Sequence, residues 1–227
     1  IDGIDCPVSA SSDTAITCTT GKRPGLRIST LVIKVASKGN VALQQKLFRY
    51  VSMWSDETTW GGEFAPMEME SVYVPTGLNL FVDVDSTPML NTLIVEGSLI
   101  FAPELDPNHQ RAFDAHIIFV RNGKMEVGTE EFPYTSKITI TMHSDLLDHY
   151  LPIYGNKVIG CRYCELDMHG PERIPTWTMM EETAEAGANK ITLKQEVDWV
   201  VGELIGVAST DFNGRHAEKR TIMAIDK

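Results

Sequence analysis

The chain has 227 residues, 43% of them hydrophobic and 22% charged, an ordinary globular composition with enough apolar mass for one large core or two modest ones. Its 31 acidic and 20 basic residues leave a formal net charge of −11, which sets most of the surface against nucleic acid and against anionic membrane. No apolar run reaches the roughly eighteen residues that a spanning helix needs, so membrane attachment is expected only through parts of a longer parent.

The chain opens at Ile1-Asp2-Gly3 without a Met or a basic-then-apolar leader, and it stops at Asp226-Lys227 within a strand-like stretch. It therefore reads as a segment of a longer polypeptide whose targeting signals lie elsewhere. Cys6 and Cys18 bracket PVSASSDTAIT, two short apolar stretches around a Ser/Asp turn. That is the pattern of a hairpin pinned by a disulfide, which would place the parent in an oxidising compartment; two unrelated buried thiols are the alternative. Residues 1–36 continue as short strands and turns, too few to bury a core alone, and read as the tail of a β-sandwich. Residues 37–59 form a connector that carries a brief helical candidate and an edge strand.

From Trp60 short apolar strands recur, each ending near a glycine or a polar turn. LIVEGSLIF and IFVRNGKMEV share one shape, apolar strand, Gly, apolar strand, and their glycines Gly97 and Gly123 lie 26 residues apart. That period suits one coil of a solenoid. A sharp bend with another backbone passing closely explains the glycine, since it tolerates both. Tight hairpin signals are scarce, with Asn122-Gly123 the strong one, and runs such as HIIFV lack strict alternation; both features favour stacked parallel strands over an antiparallel sandwich. The expected fold is all-β, a right-handed parallel β-solenoid over 60–183 preceded by a sandwich tail, with further coils starting at 184–227. TMMEETAEAG at 178–187 is the main remaining helical candidate.

Several residues are candidates for chemistry. Asp83 and Asp85 in VDVDSTP would face the same way on a strand, and with Glu70 they make a candidate calcium or carbohydrate contact, or an acid–base pair. As turn acids they would instead cap local N–H groups. His143 and His169 each end an apolar strand, and with Asp167 they are a candidate metal set; satisfied strand ends are the alternative. In Cys161-Arg162-Tyr163-Cys164 a redox motif would need a helix N-terminus, but Val158 and Ile159 read as strand, which leaves two buried thiols or a local disulfide. Trp54, Trp60, Trp177 and Trp199 are candidates for sugar stacking, with Trp60 also placed to cap the first coil. No nucleophile elbow, zincin, P-loop or dinucleotide fingerprint is present.

The stretch WGGEFAPMEMESVYVPTGLNLFVDVDSTPMLNTLIVEGSLIF resembles the eight-glycine domain of fibrocystin-like proteins. The matching elements are Trp60, Gly61, Pro66, Glu70, Gly77, Asp83 or Asp85, Thr87-Pro88 and Gly97, and the likeness runs on through VGTEEFP, LDMHG and PTWT to cover about 54–227. IDGIDCPVSASSDTAITCTTG resembles the last strands of a TIG/IPT repeat, which precedes this domain in that family. Glu70-Ser71 stands where relatives carry Gly-Asp. The resemblance implies a non-catalytic structural or adhesive module of a cell-surface or ciliary ectodomain, with Gly61, Gly77, Gly97 and Gly123 structural. Its implied partners are other ectodomains or further copies of itself, and no cofactor is expected beyond candidate calcium. One branch of the family binds and depolymerises hyaluronan, which makes an extracellular polysaccharide the alternative partner.

Overall fold

The computed structural model describes residues 4–12, 15–21, 28–30, 33–35, 39–40, 47–101, 106 and 108–226. The chain divides into two compact units, residues 1–170 and 171–227. The first begins with β1 (Val8–Ser11) and β2 (Ile16–Cys18), paired antiparallel and tied by a Cys6–Cys18 disulfide with an S–S distance of 2.08 Å. Next come β3 (Ile28–Thr30), β4 (Lys34–Val35), β5 (Gly39–Asn40) and β6 (Leu47–Arg49). β3 pairs antiparallel with β6, and β4 with β5. The helical candidate of the connector falls largely on residues 41–46, outside the described residues.

The main body follows as β7 (Ser52–Met53), a 3-10 turn at Glu57–Trp60, β8 (Val72–Val74), β9 (Asn79–Phe81), β10 (Leu90–Val95) and β11 (Ser98–Phe101). It continues with β12 (Gln110–Arg121), β13 (Lys124–Val127), β14 (Lys137–Met142), β15 (Val158–Arg162) and β16 (Glu165–Met168). From β8 to β14 the chain alternates between two sheets; β15 then joins the same sheet as β14, and β16 joins the other. One has the order β14-β12-β10-β8 with β15 also on β12, the other β16-β13-β11-β9-β7. Every pairing in both sheets is parallel. β12 is long enough to serve two neighbours, with Gln110–Ala115 on β14 and Ile117–Arg121 on β15.

Register stacks like on like. Val74, Val95, Val120 and Cys161 form one column, and Leu80, Leu99, Met125 and Leu166 form another. The first three members of each are buried, at about 1.5–3 kcal/mol of transfer free energy per large side chain. This explains the apolar runs, because a strand with neighbours on both sides and a packed face exposes little to water. Trp54 is buried in the same core, edge-on to Phe113 at 6.0 Å and to Trp60 at 5.1 Å, while the Trp60 indole N–H donates to the Trp54 carbonyl. Arg111 is also buried, its Nε donating to the Val84 carbonyl.

The corners are where glycine is required. A Cβ on Gly97 would lie 2.3 Å from the Leu78 carbonyl oxygen, and one on Gly123 would lie 2.6 Å from that of Gly97. Gly77 and Gly61 meet nothing but hold φ of 86° and 78°, a backbone need instead of a packing one. At the third corner the register puts Cys164 in the glycine position, and it is disulfide-bonded to Cys161.

In the second unit, β17 (Leu204–Val207) and β18 (Glu218–Thr221) pair antiparallel across a 3-10 turn at Gly214–His216. Parallel coils were expected over 184–227. The ten-residue connection from 208 to 217 is too short for a parallel crossover, which needs about a dozen residues or more, and it closes a hairpin. No helix forms at 178–187. Met180 bridges Leu193 antiparallel, with Glu181 N–H donating to the Thr192 carbonyl. The marginal helix propensity of this Thr- and Gly-containing stretch loses to the cross-chain bonds.

Candidate functional site

The strand ends carry the polar chemistry, and the sheets sort it into separate groups. On the β13–β16 face, Lys124 Nζ lies 2.6 Å from Asp167, 2.8 Å from Glu165 and 3.2 Å from Glu126. Register puts these side chains on adjacent strands, since Lys124 pairs with Glu165 and Glu126 with Asp167. Glu126 is buried and takes Arg49 Nη1 on both oxygens at 3.1 Å. Burial works to lower the Lys124 pKa, but hydrogen bonds to Asp167, Glu165 and Glu126 outweigh it and hold it above the ordinary lysine value. The same Lys124 bond, with a smaller share from His169, holds Asp167 below the usual carboxylate range against partial burial.

The candidate metal set separates along the same lines. His169 Nε2 sits 2.6 Å from Asp167 Oδ1, whereas His143 follows β14 on the other sheet and meets Asp114 at 2.7 Å. The second Asp167 oxygen belongs to Lys124. Among the described residues no group of three His, Cys, Asp or Glu side chains is placed to hold a metal ion.

Asp83, Asp85 and Glu70 each have their own partners. The strand stops at Phe81, so both aspartates lie beyond it, Asp85 within a bend. Asp83 accepts from the N–H and hydroxyl of Ser55. Asp85 is 80% exposed and stands 3.3 Å from His109 Nε2, and Glu70 accepts from the Met67 N–H. Trp199 donates its indole N–H to the Pro175 carbonyl, and Trp177 is exposed.

Two features escaped the sequence. The first is a groove of about 490 Å³ along the stacked corners Gly77, Gly97, Gly123 and Cys164, walled by Glu96, Lys124 and Tyr163. Tyr163 is 84% exposed. Tyr73 donates its hydroxyl to Glu96, and Arg121 Nε bonds the same carboxylate; both hold Glu96 below the ordinary glutamate pKa, and the bond raises that of Tyr73. Aligning the two Gly corners would have found this pair, since Glu96 and Arg121 each follow the stacked valine of their strand. The second is a histidine clamp. His116 Nδ1 lies 3.5 Å from Asp148, its ring stacks on His149 at 6.2 Å, and His149 Nε2 lies 3.1 Å from the Thr92 hydroxyl. The 143–157 loop brings these together, and no local spacing signals it.

The G8 domain model matches residues 59–181. Fibrocystin-L of Homo sapiens is 33% identical over 97% of this chain, and the chain spans 5% of that protein's length. Fibrocystin of Mus musculus is 30% identical over 69% of the chain, which covers 4% of it. Protein rliB of Dictyostelium discoideum is 23% identical over 76% of the chain, which covers 16% of that protein. No solved structure matches.

Proposed function

Because the chain belongs to the G8 domain family, we propose that it is a non-catalytic structural and adhesive module of a large cell-surface or ciliary ectodomain. In this reading the two parallel sheets are the first coils of a β-solenoid that continues in the parent, and the Cys6–Cys18 hairpin is the end of a TIG/IPT domain. One observation carries it. Both core columns stop in the open, one at exposed Cys161 and the other at Leu166, 44% exposed although Met125 beside it is buried; Met168, two residues on, is 50% exposed although its partner Val127 is buried. An apolar column that ends exposed is what a repeat lacking its next neighbour leaves behind. The disulfides suit an oxidising exterior. Among the described residues no helix is long and apolar enough to cross a membrane, so the anchor is assigned to other parts of the parent.

A piece of the parent extended beyond residue 227 should melt at a higher temperature than this chain and form a rod in electron micrographs. A globular particle with unchanged Tm would sink the solenoid. Beads coated with the parent ectodomain should cluster, and beads that stay dispersed would remove the adhesive role. The corner groove, with its polar walls and exposed Tyr163, favours one second reading, binding of an extracellular polysaccharide with or without calcium. Retention of the chain on a hyaluronan column would support it; free passage, with polymer length unchanged after incubation, would exclude it.

A further inference from the structure

The other end of the parallel stack is covered on one sheet only. β7 lies along β9, but β8 is the last strand of its own sheet among the described residues. The carbonyls of Glu70 and Val74 accept from Asn91 and Glu96 on the β10 side. In a parallel ladder alternate residues turn both main-chain groups the same way, so those of Ser71 and Tyr73 point to the open edge. Beside that edge runs a groove of about 430 Å³, floored by Trp60, Phe64 and Pro66 and bordered by Glu63 and Glu70. Phe64 is 81% exposed. Glu70 and Glu68 spend one oxygen each on the N–H groups of Met67 and Met89, and among the described residues no cation pairs with Glu63, Glu68 or Glu70.

We propose that the open β8 edge with its acidic, aromatic groove is a docking site for an extended segment of a partner protein in which basic and apolar residues alternate. Main-chain pairing to Ser71 and Tyr73 supplies affinity, apolar side chains meet Phe64 and Trp60, and basic ones meet Glu63 and Glu70. A second copy of this chain fits poorly. A two-fold pairing of β8 edges would set Glu63 and Glu70 against their own copies, and each molecule carries a net charge of −11.

The test uses the full 227-residue chain and the synthetic peptide acetyl-Arg-Val-Lys-Ile-Arg-Val-amide, with amide exchange followed by NMR. The peptide should bind saturably, more weakly at higher salt, and slow exchange at Tyr73 and Ser71 about tenfold or more while leaving β16 unchanged. An acidic counterpart with Glu at the basic positions should not bind. Methylating alternate amide nitrogens on one edge of the basic peptide should abolish binding, and Glu63→Lys should weaken it about tenfold. Ser71→Pro removes an outward N–H and should also abolish binding; if it misfolds, the methylated peptide still decides the matter. Absence of binding, equal binding of the acidic peptide, or protection mapping to β16 would overturn the proposal. So would Tyr73 protection that grows with protein concentration alone, which would assign the edge to a second copy.

Discussion

The glycines do two different jobs, and substitution should separate them. At Gly97 the atoms a methyl would strike are the backbone carbonyls of Leu78 and Pro75, which have no side-chain freedom to retreat. Gly97→Ala should therefore cost about 3 kcal/mol, the upper end for overpacking. At Gly77 the space is empty and only the positive φ resists, so Gly77→Ala should cost about 1 kcal/mol. Urea denaturation measures both, and a Gly77 variant as damaged as the Gly97 one would contradict the distinction. Asp167 argues at the same scale about pH. Its folded pKa is depressed, so its contribution is present above the unfolded value of about 4 and is lost as pH falls through the folded value. That of Lys124 is raised, so its contribution is present below an unfolded value near 10.4 and is lost only as pH rises beyond it. Neutral pH lies on the plateau of both. Asp167→Asn should flatten the fall in stability below about pH 4 and leave the alkaline limb to Lys124 and its remaining partners. An acid limb identical to that of the parent protein would remove this role.

The third corner shows how an element can keep its geometry while the text changes. In the two preceding corners an interior valine is followed by a corner glycine: Val95 with Gly97, and Val120 with Gly123. In the third, Cys161 occupies the valine column and Cys164 the glycine position, bonded to each other. Tyr163 takes φ of 52°, close to the 54° of Asn122 one strand pair earlier. A covalent link closing so short a loop restrains the unfolded chain by about 2 kcal/mol. Cys161→Ser with Cys164→Ser should lose about that much in thermal or urea unfolding, with β15 and β16 the first strands to exchange their amides. Cys161→Val with Cys164→Gly should reproduce the pattern of the two preceding corners and retain more stability than the serine pair; the reverse order would show that the cysteines do not stand in for valine and glycine. The corners were legible in the sequence because close backbone approach demands glycine and glycine is visible. The division of β12 between β14 and β15 was not, because its continuous apolar run reads the same whether one strand or two lie beside it. The surroundings of Asp83 and Asp85 were hidden for a related reason: VDVD alternates like a strand, but the strand ends at Phe81 and Asp83 accepts from Ser55, 28 residues away in the chain.

At the scale of the chain, the two units differ in what they can hold together unaided. The buried core cluster lies between Trp54 and Tyr134, all within the first unit. No described residue of 171–226 is buried, and large apolar side chains such as Trp177, Leu204, Phe212 and Met223 stand exposed. Its local bonds are sound: Glu203 accepts from the Val200 N–H, which with the Arg173 bond at 2.7 Å lowers its pKa, and Lys190 pairs with Asp226 at 2.7 Å. Such exposed pairs contribute little against the entropy of ordering the chain, about 1–2 kcal/mol for each residue's backbone. Composition could not reveal this imbalance, because the apolar residues of 171–227 are as numerous as a core would need and only their placement leaves them uncovered. The expected outcome is that residues 1–170 alone unfold cooperatively, with the same urea midpoint as the 227-residue chain, and that residues 171–227 alone give no cooperative transition by circular dichroism and no dispersed amide spectrum. A folded 171–227 fragment would require a source of stability that none of its described side chains supplies. A markedly lower midpoint for 1–170 would mean that the second unit contributes to the core after all.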